Sequence, residues 1–155
     1  MYTTFYIGEV LTMIFEYEHL IQFYETDAMR IVHHSNYLRW FEEARLVWLS
    51  EIGYSYKQME DEGIMIPVLS AQVEYKQMLA FGSTAIIRLR ISHFTPVRMT
   101  VEYKVYNKET GDLTTTGSTS HCFLDAETQR PLSLKRNHPD ILAAFEKAQA
   151  DSKED

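Results

Sequence analysis

Asp27 and two histidines lie close together in the sequence, in a segment that leads into the clearest helix of the chain. Asp27 belongs to residues 25–35, which show neither helical nor strand periodicity, and His33 and His34 follow in the same segment. A carboxylate can act as a general base or as a nucleophile. A helix N-terminus can polarise a carbonyl group through its unpaired N–H groups. Each residue also has a structural interpretation, Asp27 as a turn residue and His34 as a helix cap, and residue type alone favours the turn for Asp27.

The helix that follows this segment is predicted for residues 36–52. Ser35 or Asn36 can cap its start, and Gly53 follows its end. Most of its circumference is apolar, so we expect the rest of the fold to wrap it on most sides. The apolar positions are Tyr37, Leu38, Trp40, Phe41, Ala44, Val47, Trp48, Leu49 and Ile52.

Alternating apolar and polar residues predict strands on both sides of this helix. We expect a first strand at residues 13–24, a short second helix at 55–62 and a closing helix at 137–149. Four further strands are predicted at residues 64–78, 84–94, 99–106 and 113–124. Positions sharing one strand face are Leu69, Ala71, Val73 and Tyr75, then Ile87, Leu89 and Ile91, then Met99, Val101, Tyr103 and Val105.

The connections between the later strands are short, which makes the sheet antiparallel. Residues 107–112 are expected to form a tight hairpin connection in which Gly111 is available for a left-handed backbone conformation. A sheet of this kind must cover the long helix, so the fold class is α+β.

Length and composition describe one globular domain. The 155 residues are 45% hydrophobic and 24% charged, and we expect the domain to span residues 13–150. Residues 1–12 are interpreted as a poorly ordered extension and residues 151–155 as a solvated tail. The net charge of -7 argues against a nucleic-acid partner, and no signal peptide or membrane span is recognised. One cysteine, Cys122, excludes an intrachain disulfide and fits a cytoplasmic protein.

The 22-residue run YETDAMRIVHHSNYLRWFEEAR, residues 24–45, resembles the signature of the 4-hydroxybenzoyl-CoA thioesterase-like branch of the hotdog superfamily. The matching positions are Thr26-Asp27, Ile31-Val32, His33-His34, Tyr37 and Phe41-Glu42-Glu43-Ala44-Arg45. The resemblance implies a curved antiparallel sheet of about five strands wrapped around the helix. It also implies hydrolysis of acyl-CoA thioesters without metal or cofactor, in a homodimer or dimer of dimers with sites at the subunit interface.

The same resemblance implies roles for individual residues. Asp27 is expected to be the catalytic carboxylate. The motif thus favours a catalytic role for Asp27 over the turn interpretation that residue type alone favours. Backbone amides of His34, Ser35, Asn36 and Tyr37 are expected to polarise the thioester carbonyl, and the His34 side chain to orient the substrate. His33 is interpreted as structural.

Three positions around this motif leave alternatives open. Glu42 is expected to support the loop, but a different hotdog branch uses a helix glutamate as base, and a simple ion pair with Arg45 is a third interpretation. Arg30 stands where the family has glycine, so it is expected to alter the loop or contact the substrate. Phe23 stands where the family has tyrosine, with Tyr24 beside it.

The phosphates of CoA require cations near the site, and the chain offers several. Arg88, Arg90 and Arg98 are the candidates for substrate binding; Arg130, Lys135 and Arg136 are also available. Alternating Arg88 and Arg90 equally fit a solvated sheet face. Two other functions stay open, an acyl-carrier-protein thioesterase and a non-catalytic acyl or phosphopantetheine binding module.

Overall fold

The structure, a computed structural model, describes residues 1–7 and 10–152, and for residues 5–7 and 10–13 it describes the backbone alone. The strands are β1 (Tyr2–Ile7), β2 (Val10–Leu20), β3 (Ile64–Met65), β4 (Val68–Tyr75), β5 (Thr84–Thr95), β6 (Arg98–Asn107), β7 (Leu113–Cys122) and β8 (Leu124–Asp125). The α-helices are α1 (Asn36–Glu51), α2 (Tyr56–Asp61), α3 (Leu134–Asn137) and α4 (Pro139–Asp151), and a 3-10 helix spans Phe23–Glu25.

One antiparallel sheet of six strands, in the order β1-β2-β5-β6-β7-β4, carries the fold. The α+β class with a curved antiparallel sheet and one long helix is confirmed. The hairpin between β6 and β7 is also confirmed, with the Gly111 amide bonded to the Asn107 carbonyl at 2.8 Å and a Gly111 φ of 78°.

The sixth strand comes from the N-terminal segment, which was expected to lie outside the domain. Tyr2 pairs with Phe15 in register, and the Tyr2 ring meets the Phe15 ring edge-on at 5.6 Å. The strand predicted for residues 13–24 accordingly begins at Val10 within the described residues and ends at Leu20. At the other end of the chain, α4 continues to Asp151, and residues 153–155 lie outside the described part.

Helix α1 packs closely on the sheet because one position beneath it has no side chain. The Phe41 ring stacks on the Tyr103 ring at 4.1 Å between centroids and 7° between planes. A Cβ atom at Gly117 would lie 2.5 Å from the Phe41 ring, so any other residue there would force the ring or the helix to shift. The helix residues buried in this way are Tyr37, Trp40, Phe41, Ala44, Trp48 and Leu49.

The opposite side of α1 is less covered than its composition indicated. Leu38, Leu46 and Val47 are exposed in the single chain, so the prediction that its own fold wraps the helix on most sides is wrong there. The sheet covers one side, and short helices cover only part of the rest. Within residues 1–7 and 10–152, no helix is both long and apolar enough to cross a membrane.

Strand β4 differs from the other predicted strands in its burial. The inward positions of β5 and β6 are buried as the alternation predicted. In β4, by contrast, Leu69 and Tyr75 are about half exposed (49% and 51%), and only Val73 is partly buried. The reason is position, because β4 lies at the edge of the sheet and, in the described part of the chain, bonds to no strand other than β7.

Candidate active site

Asp27 lies in the tight turn at the tip of the loop that precedes α1. The Asp27 amide donates to the Ile31 carbonyl at 2.9 Å, and the Arg30 amide donates to the Asp27 carbonyl at 2.9 Å. The half-buried carboxylate accepts the Met29 amide on Oδ1 at 2.8 Å, as an Asx turn does. Oδ2 has no hydrogen-bond partner among the described residues, so one carboxylate oxygen is oriented and the other is available.

Arg30 keeps the backbone conformation for which the family uses glycine. Its φ is 63°, in the left-handed region, which costs a residue with a Cβ about 1 kcal/mol. The loop therefore has the same kind of turn as a glycine would give. Relative to glycine, Arg30 adds an exposed guanidinium three residues after Asp27.

The segment after this loop occupies two of the four amides that were expected to polarise a carbonyl. The Ser35 amide donates to His33 Nδ1 at 3.2 Å, and the Ser35 hydroxyl lies 2.8 Å from the same nitrogen. The Asn36 amide donates to the His33 carbonyl at 3.0 Å. For the amides of His34 and Tyr37, the described part of the chain provides no acceptor, so these two remain the candidates for an oxyanion site.

His34 itself is exposed and held from two sides. Its ring stacks on the His33 ring at 4.1 Å. Its carbonyl accepts the Tyr75 hydroxyl at 2.9 Å, and the Tyr75 ring meets Tyr37 edge-on at 5.3 Å. Partial burial raises the pKa of Tyr75, so this hydroxyl stays a donor at neutral pH. Tyr75 was predicted only as a strand residue; 41 positions separate it from His34, and no local pattern indicates the contact.

Glu25, two residues before Asp27, is a buried acid of this region that the sequence interpretation missed. It is 5% exposed, and its carboxylate accepts Trp40 Nε1 at 2.8 Å and the Gln22 amide at 2.8 Å. His19 Nε2 lies 2.9 Å from the same carboxylate. Burial raises the pKa of Glu25, but these hydrogen bonds and the His19 charge outweigh it and lower the pKa. The side chain is therefore a buried carboxylate that ties β2, the loop and α1 together.

The Glu25 backbone extends this anchoring to the start of the helix. Its carbonyl accepts the His33 amide at 2.8 Å and the Asn36 side-chain amide at 2.8 Å. Buried Asn36 thus fixes the loop rather than offering itself to a substrate. In the sequence, this anchoring is marked only by a glutamate directly before Thr26-Asp27 and a tryptophan fifteen residues after that glutamate.

The two glutamates of α1 have different surroundings. Glu43 accepts the Tyr17 hydroxyl at 2.9 Å and lies 3.4 Å from His19 Nδ1. Glu42 is exposed, and Arg45 donates to the Tyr103 hydroxyl at 3.0 Å, so the ion pair considered for Glu42 and Arg45 is not formed. Glu42 lies about 9 Å along the axis from Asn36, beyond the first turn of the helix.

Two of the candidate cations lie on the sheet face opposite α1. Arg88 pairs with Glu16 at 2.7 Å, and Arg90 pairs with Glu102 at 2.6 Å. They alternate along β5 with buried residues that face the helix, as a solvated sheet face does. A cavity of about 350 Å³ opens among these charged residues, and its lining includes neither Asp27 nor His34.

Arg98 and Cys122 lie at the far end of the sheet. Arg98 is exposed and pairs in register with Cys122, which is half-buried in β7. Asp27 lies at the other end, because its loop bridges to Ala80, just before β5 begins. The twelve residues of β5 separate the two ends by about 36 Å.

Comparison with known proteins identifies the class. A family model described as "Thioesterase-like superfamily" matches residues 21–145. The Bacillus subtilis (strain 168) protein "Putative acyl-CoA thioesterase YneP" is 34% identical over 128 residues, 83% of this chain and 92% of that one. The 1,4-dihydroxy-2-naphthoyl-CoA hydrolase of Thermosynechococcus vestitus (strain NIES-2133 / IAM M-273 / BP-1) is 26% identical over 138 residues, 88% of this chain and 91% of that one.

A solved structure agrees with both. The DHNA-CoA thioesterase from Staphylococcus aureus has a TM-score of 0.83 and 34% identity, covering 88% of this chain and 91% of that one. Fold and sequence together define a hotdog-fold thioesterase. The chain belongs to the thioesterase-like superfamily, and both the resemblance to the 4-hydroxybenzoyl-CoA thioesterase-like branch and the hydrolysis of acyl-CoA thioesters that it implied are confirmed.

Proposed function

We propose that Asp27 is the catalytic carboxylate of this acyl-CoA thioesterase and that the amides of His34 and Tyr37 stabilise the oxyanion. The observation that carries the proposal is the asymmetry of the carboxylate, whose Oδ1 is fixed by the Met29 amide while Oδ2 has no partner among the described residues. As a base, Asp27 takes a proton from the water whose oxygen adds to the thioester carbon; as a nucleophile, its own carboxylate oxygen adds to that carbon, and water then hydrolyses the resulting anhydride. In either case the C–S bond breaks, and the departing CoA sulfur gains the proton lost by water.

Isotope labelling can identify Asp27 as a nucleophile. After a single turnover in H₂¹⁸O, mass spectrometry of the peptide that contains Asp27 shows whether its carboxylate carries ¹⁸O. Label in Asp27 identifies an acyl-enzyme anhydride that water attacked at the Asp27 carboxyl carbon. Label only in the released acid is the result for a base and also for an anhydride attacked at the acyl carbon; trapping of an acyl-enzyme with hydroxylamine separates these two.

The proposed site is completed by a second copy of the chain, bound along β4. Strand β4 is an edge with unpaired backbone groups and half-exposed Val68, Leu69 and Tyr75, which is the profile of an edge that pairs. In an antiparallel pair of two β4 strands, Val68 of the partner subunit lies opposite Tyr75, and Tyr75 contacts His34. The far end of the partner's sheet then approaches the Asp27 loop.

This pairing gives Arg98 a role that one chain alone does not permit. Val68 pairs with His121, and His121 pairs with Met99, so Arg98 of the partner subunit lies two strands beyond the edge, about 10 Å away. An exposed guanidinium there suits a phosphate of CoA. We expect light scattering to give the mass of a dimer or of a dimer of dimers, and a monomer at working concentration contradicts this part of the proposal.

The function is tested with a panel of acyl-CoA and acyl-carrier-protein thioesters, followed by release of free thiol. Turnover of acyl-CoA substrates supports the proposal, whereas turnover confined to carrier-protein substrates supports the alternative thioesterase. Binding of acyl-CoA without turnover on the whole panel supports a binding module. We also propose a cytoplasmic location, because a single, half-buried free cysteine fits a reducing compartment.

A further inference from the structure

Five large apolar side chains around the Asp27 loop are highly exposed. Their exposed fractions are 75% for Phe23, 79% for Tyr24, 71% for Met29, 75% for Met78 and 60% for Phe81. Exposed apolar clusters of this kind mark binding surfaces in soluble proteins. We name these five residues the loop patch.

The loop patch is joined by backbone contacts between its three segments. Gly82 donates to the Ile21 carbonyl at 3.4 Å, and Val32 donates to the Leu79 carbonyl at 2.8 Å. The Phe23 ring meets the Phe81 ring edge-on at 5.7 Å. These contacts hold the 3-10 helix, the Asp27 loop and the connection between β4 and β5 together at one end of the molecule.

Asp27 belongs to the same surface. The Met29 amide is the donor to its Oδ1, and the Thr26 amide, one residue before it, bonds to the Phe23 carbonyl at 3.2 Å. A substrate whose carbonyl carbon comes within about 3.5 Å of the Asp27 carboxylate therefore lies close to residues of the loop patch.

The Phe23–Phe81 pair lies away from the edge assigned to the second copy. Phe23 follows β2, and Phe81 precedes β5, two strands that neighbour each other. Strands β6 and β7 lie between β5 and β4, so three strand spacings, about 14 Å, separate this pair from the β4 edge. Pairing along β4 consequently does not require these two rings.

We propose that the loop patch binds the acyl group of the substrate, with Phe23 and Phe81 as the residues that set its preference for acyl length. The inference rests on the proposed function. The acyl group is the apolar part of an acyl-CoA and begins at the carbon bonded to the reacting carbonyl. The CoA part carries phosphates and amides, which five apolar side chains do not match. Each methylene buried on such a surface strengthens binding about fourfold.

The test compares the chain-length dependence of kcat/KM in the parent protein with that in Phe23→Ala and Phe81→Ala, using saturated acyl-CoA substrates of increasing length. We expect the rise with length to flatten in both variants, with a loss of about tenfold or more on the longest productive acyl chain. The inhibition constant of free CoA is expected to stay unchanged. Tyr56→Ala is the matched control, because Tyr56 is 45% exposed and lies beyond the other end of α1.

A second measurement separates this inference from the proposed function. Calorimetric binding of non-hydrolysable acyl-CoA thioethers to the same proteins reports the length dependence without turnover. If the parent hydrolyses no thioester, the proposed function fails, yet a length dependence that flattens in Phe23→Ala still supports acyl binding by the loop patch.

Four outcomes overturn the inference. An unchanged length dependence in both variants removes the loop patch from acyl recognition. An equal weakening of free CoA and of every acyl-CoA assigns the surface to the CoA part instead. A change of molecular mass by light scattering assigns it to a second copy. Loss of binding to phosphatidylcholine vesicles, with kinetics unchanged on soluble substrates, assigns it to a lipid surface.

Discussion

Two polar regions of the molecule, the tip of the Asp27 loop and the interior behind it, differ in how many hydrogen bonds their carboxylates accept. In the interior, Glu25 accepts bonds from Trp40 and the Gln22 amide, and its charge is fully engaged. At the tip, Asp27 uses one carboxylate oxygen within the loop and keeps the other available. The two carboxylates are only two residues apart. The contrast teaches that burial and donors, rather than residue type, decide which acid holds the fold and which acid reacts.

A second cluster of buried polar side chains, like that around Glu25, joins elements of the fold. His121 is 1% exposed, and its Nε2 lies 2.7 Å from the Thr119 hydroxyl, which in turn lies 2.9 Å from the Tyr103 hydroxyl. Arg45 donates to Tyr103 and completes the chain of contacts between α1 and the sheet. The comparison therefore predicts that changes at the tip alter activity, and that changes in the interior alter stability.

The largest effect is expected at the tip, from Asp27→Asn. The amide side chain can still accept the Met29 N–H, so the loop and the free energy of unfolding should be preserved. The charge and the ability to accept a proton are lost, so kcat should fall about a hundredfold or more while KM changes little. Steady-state kinetics on the best acyl-CoA substrate, with urea unfolding in parallel, measures both.

Glu42→Gln is the matched control, because Glu42 is an exposed acid of α1 and belongs to the same motif. It should keep most of the activity. An active Asp27→Asn together with an inactive Glu42→Gln would transfer the catalytic role to the helix glutamate.

An interior effect of about 3 kcal/mol is expected from His121 as the pH falls. Burial and the Arg45 charge lower the pKa of His121 from 6.5 to about 4, against the nearby carbonyls of Ile66 and Pro67. The unfolded chain therefore binds a proton below pH 6.5 that the folded chain does not bind. The contribution of neutral His121 to the free energy of unfolding should be fully present above pH 6.5 and should be lost progressively as the pH falls to about 4.

Urea unfolding at a series of pH values measures this loss. In His121→Gln the side chain no longer titrates, so the slope between pH 6.5 and 4 should become smaller than in the parent. Equal slopes in the two proteins would show that His121 is not the buried neutral group assigned to it.

Glu25→Gln should lower the free energy of unfolding by about 2 kcal/mol, since hydrogen bonds to a buried charged group are replaced by weaker or mismatched ones. The pKa of Glu25 lies below its ordinary value of 4.5, so its contribution is present above about pH 4.5 and is lost as the pH falls further. Because Glu25 also holds the Asp27 loop, kcat should fall too, but less than in Asp27→Asn. Urea titration at pH 7 is the measurement.

The control for Glu25 is Glu18→Gln, which breaks the exposed Glu18–Lys108 pair at 2.8 Å. It should leave the free energy of unfolding nearly unchanged, because an exposed ion pair is screened by solvent. If both variants lose the same amount, the buried network has no special role.

The smallest effect is expected from Arg30→Gly at the tip. Glycine adopts the φ of 63° without a steric cost, but it also gains freedom in the unfolded chain, so the net change in stability should stay below about 1 kcal/mol. KM is expected to change while kcat stays nearly constant, because the exposed guanidinium can contact substrate but not the reacting atoms. Unchanged KM and kcat would place the Arg30 side chain in solvent throughout the reaction.

The sequence by itself determined the features that depend on neighbours along the chain. Helix α1, predicted for residues 36–52, runs from Asn36 to Glu51, and Gly111 adopts the left-handed turn conformation assigned to it. The Asp27 loop and the start of the helix were found together because the motif that marks them is continuous. Periodicity, capping and turn geometry are local, so they can be recognised without knowing what packs on them.

Only the tertiary structure decided which of these local pieces meet. The buried role of Glu25 depends on Trp40 and His19 arriving from a helix and a strand, and the Tyr75–His34 contact joins residues 41 positions apart. Strand β1 pairs with the edge that β2 offers, and β4 is exposed because no strand among residues 1–7 and 10–152 pairs with its outer side. Such outcomes follow from strand order and register, which place distant residues side by side and leave no periodic trace in the sequence.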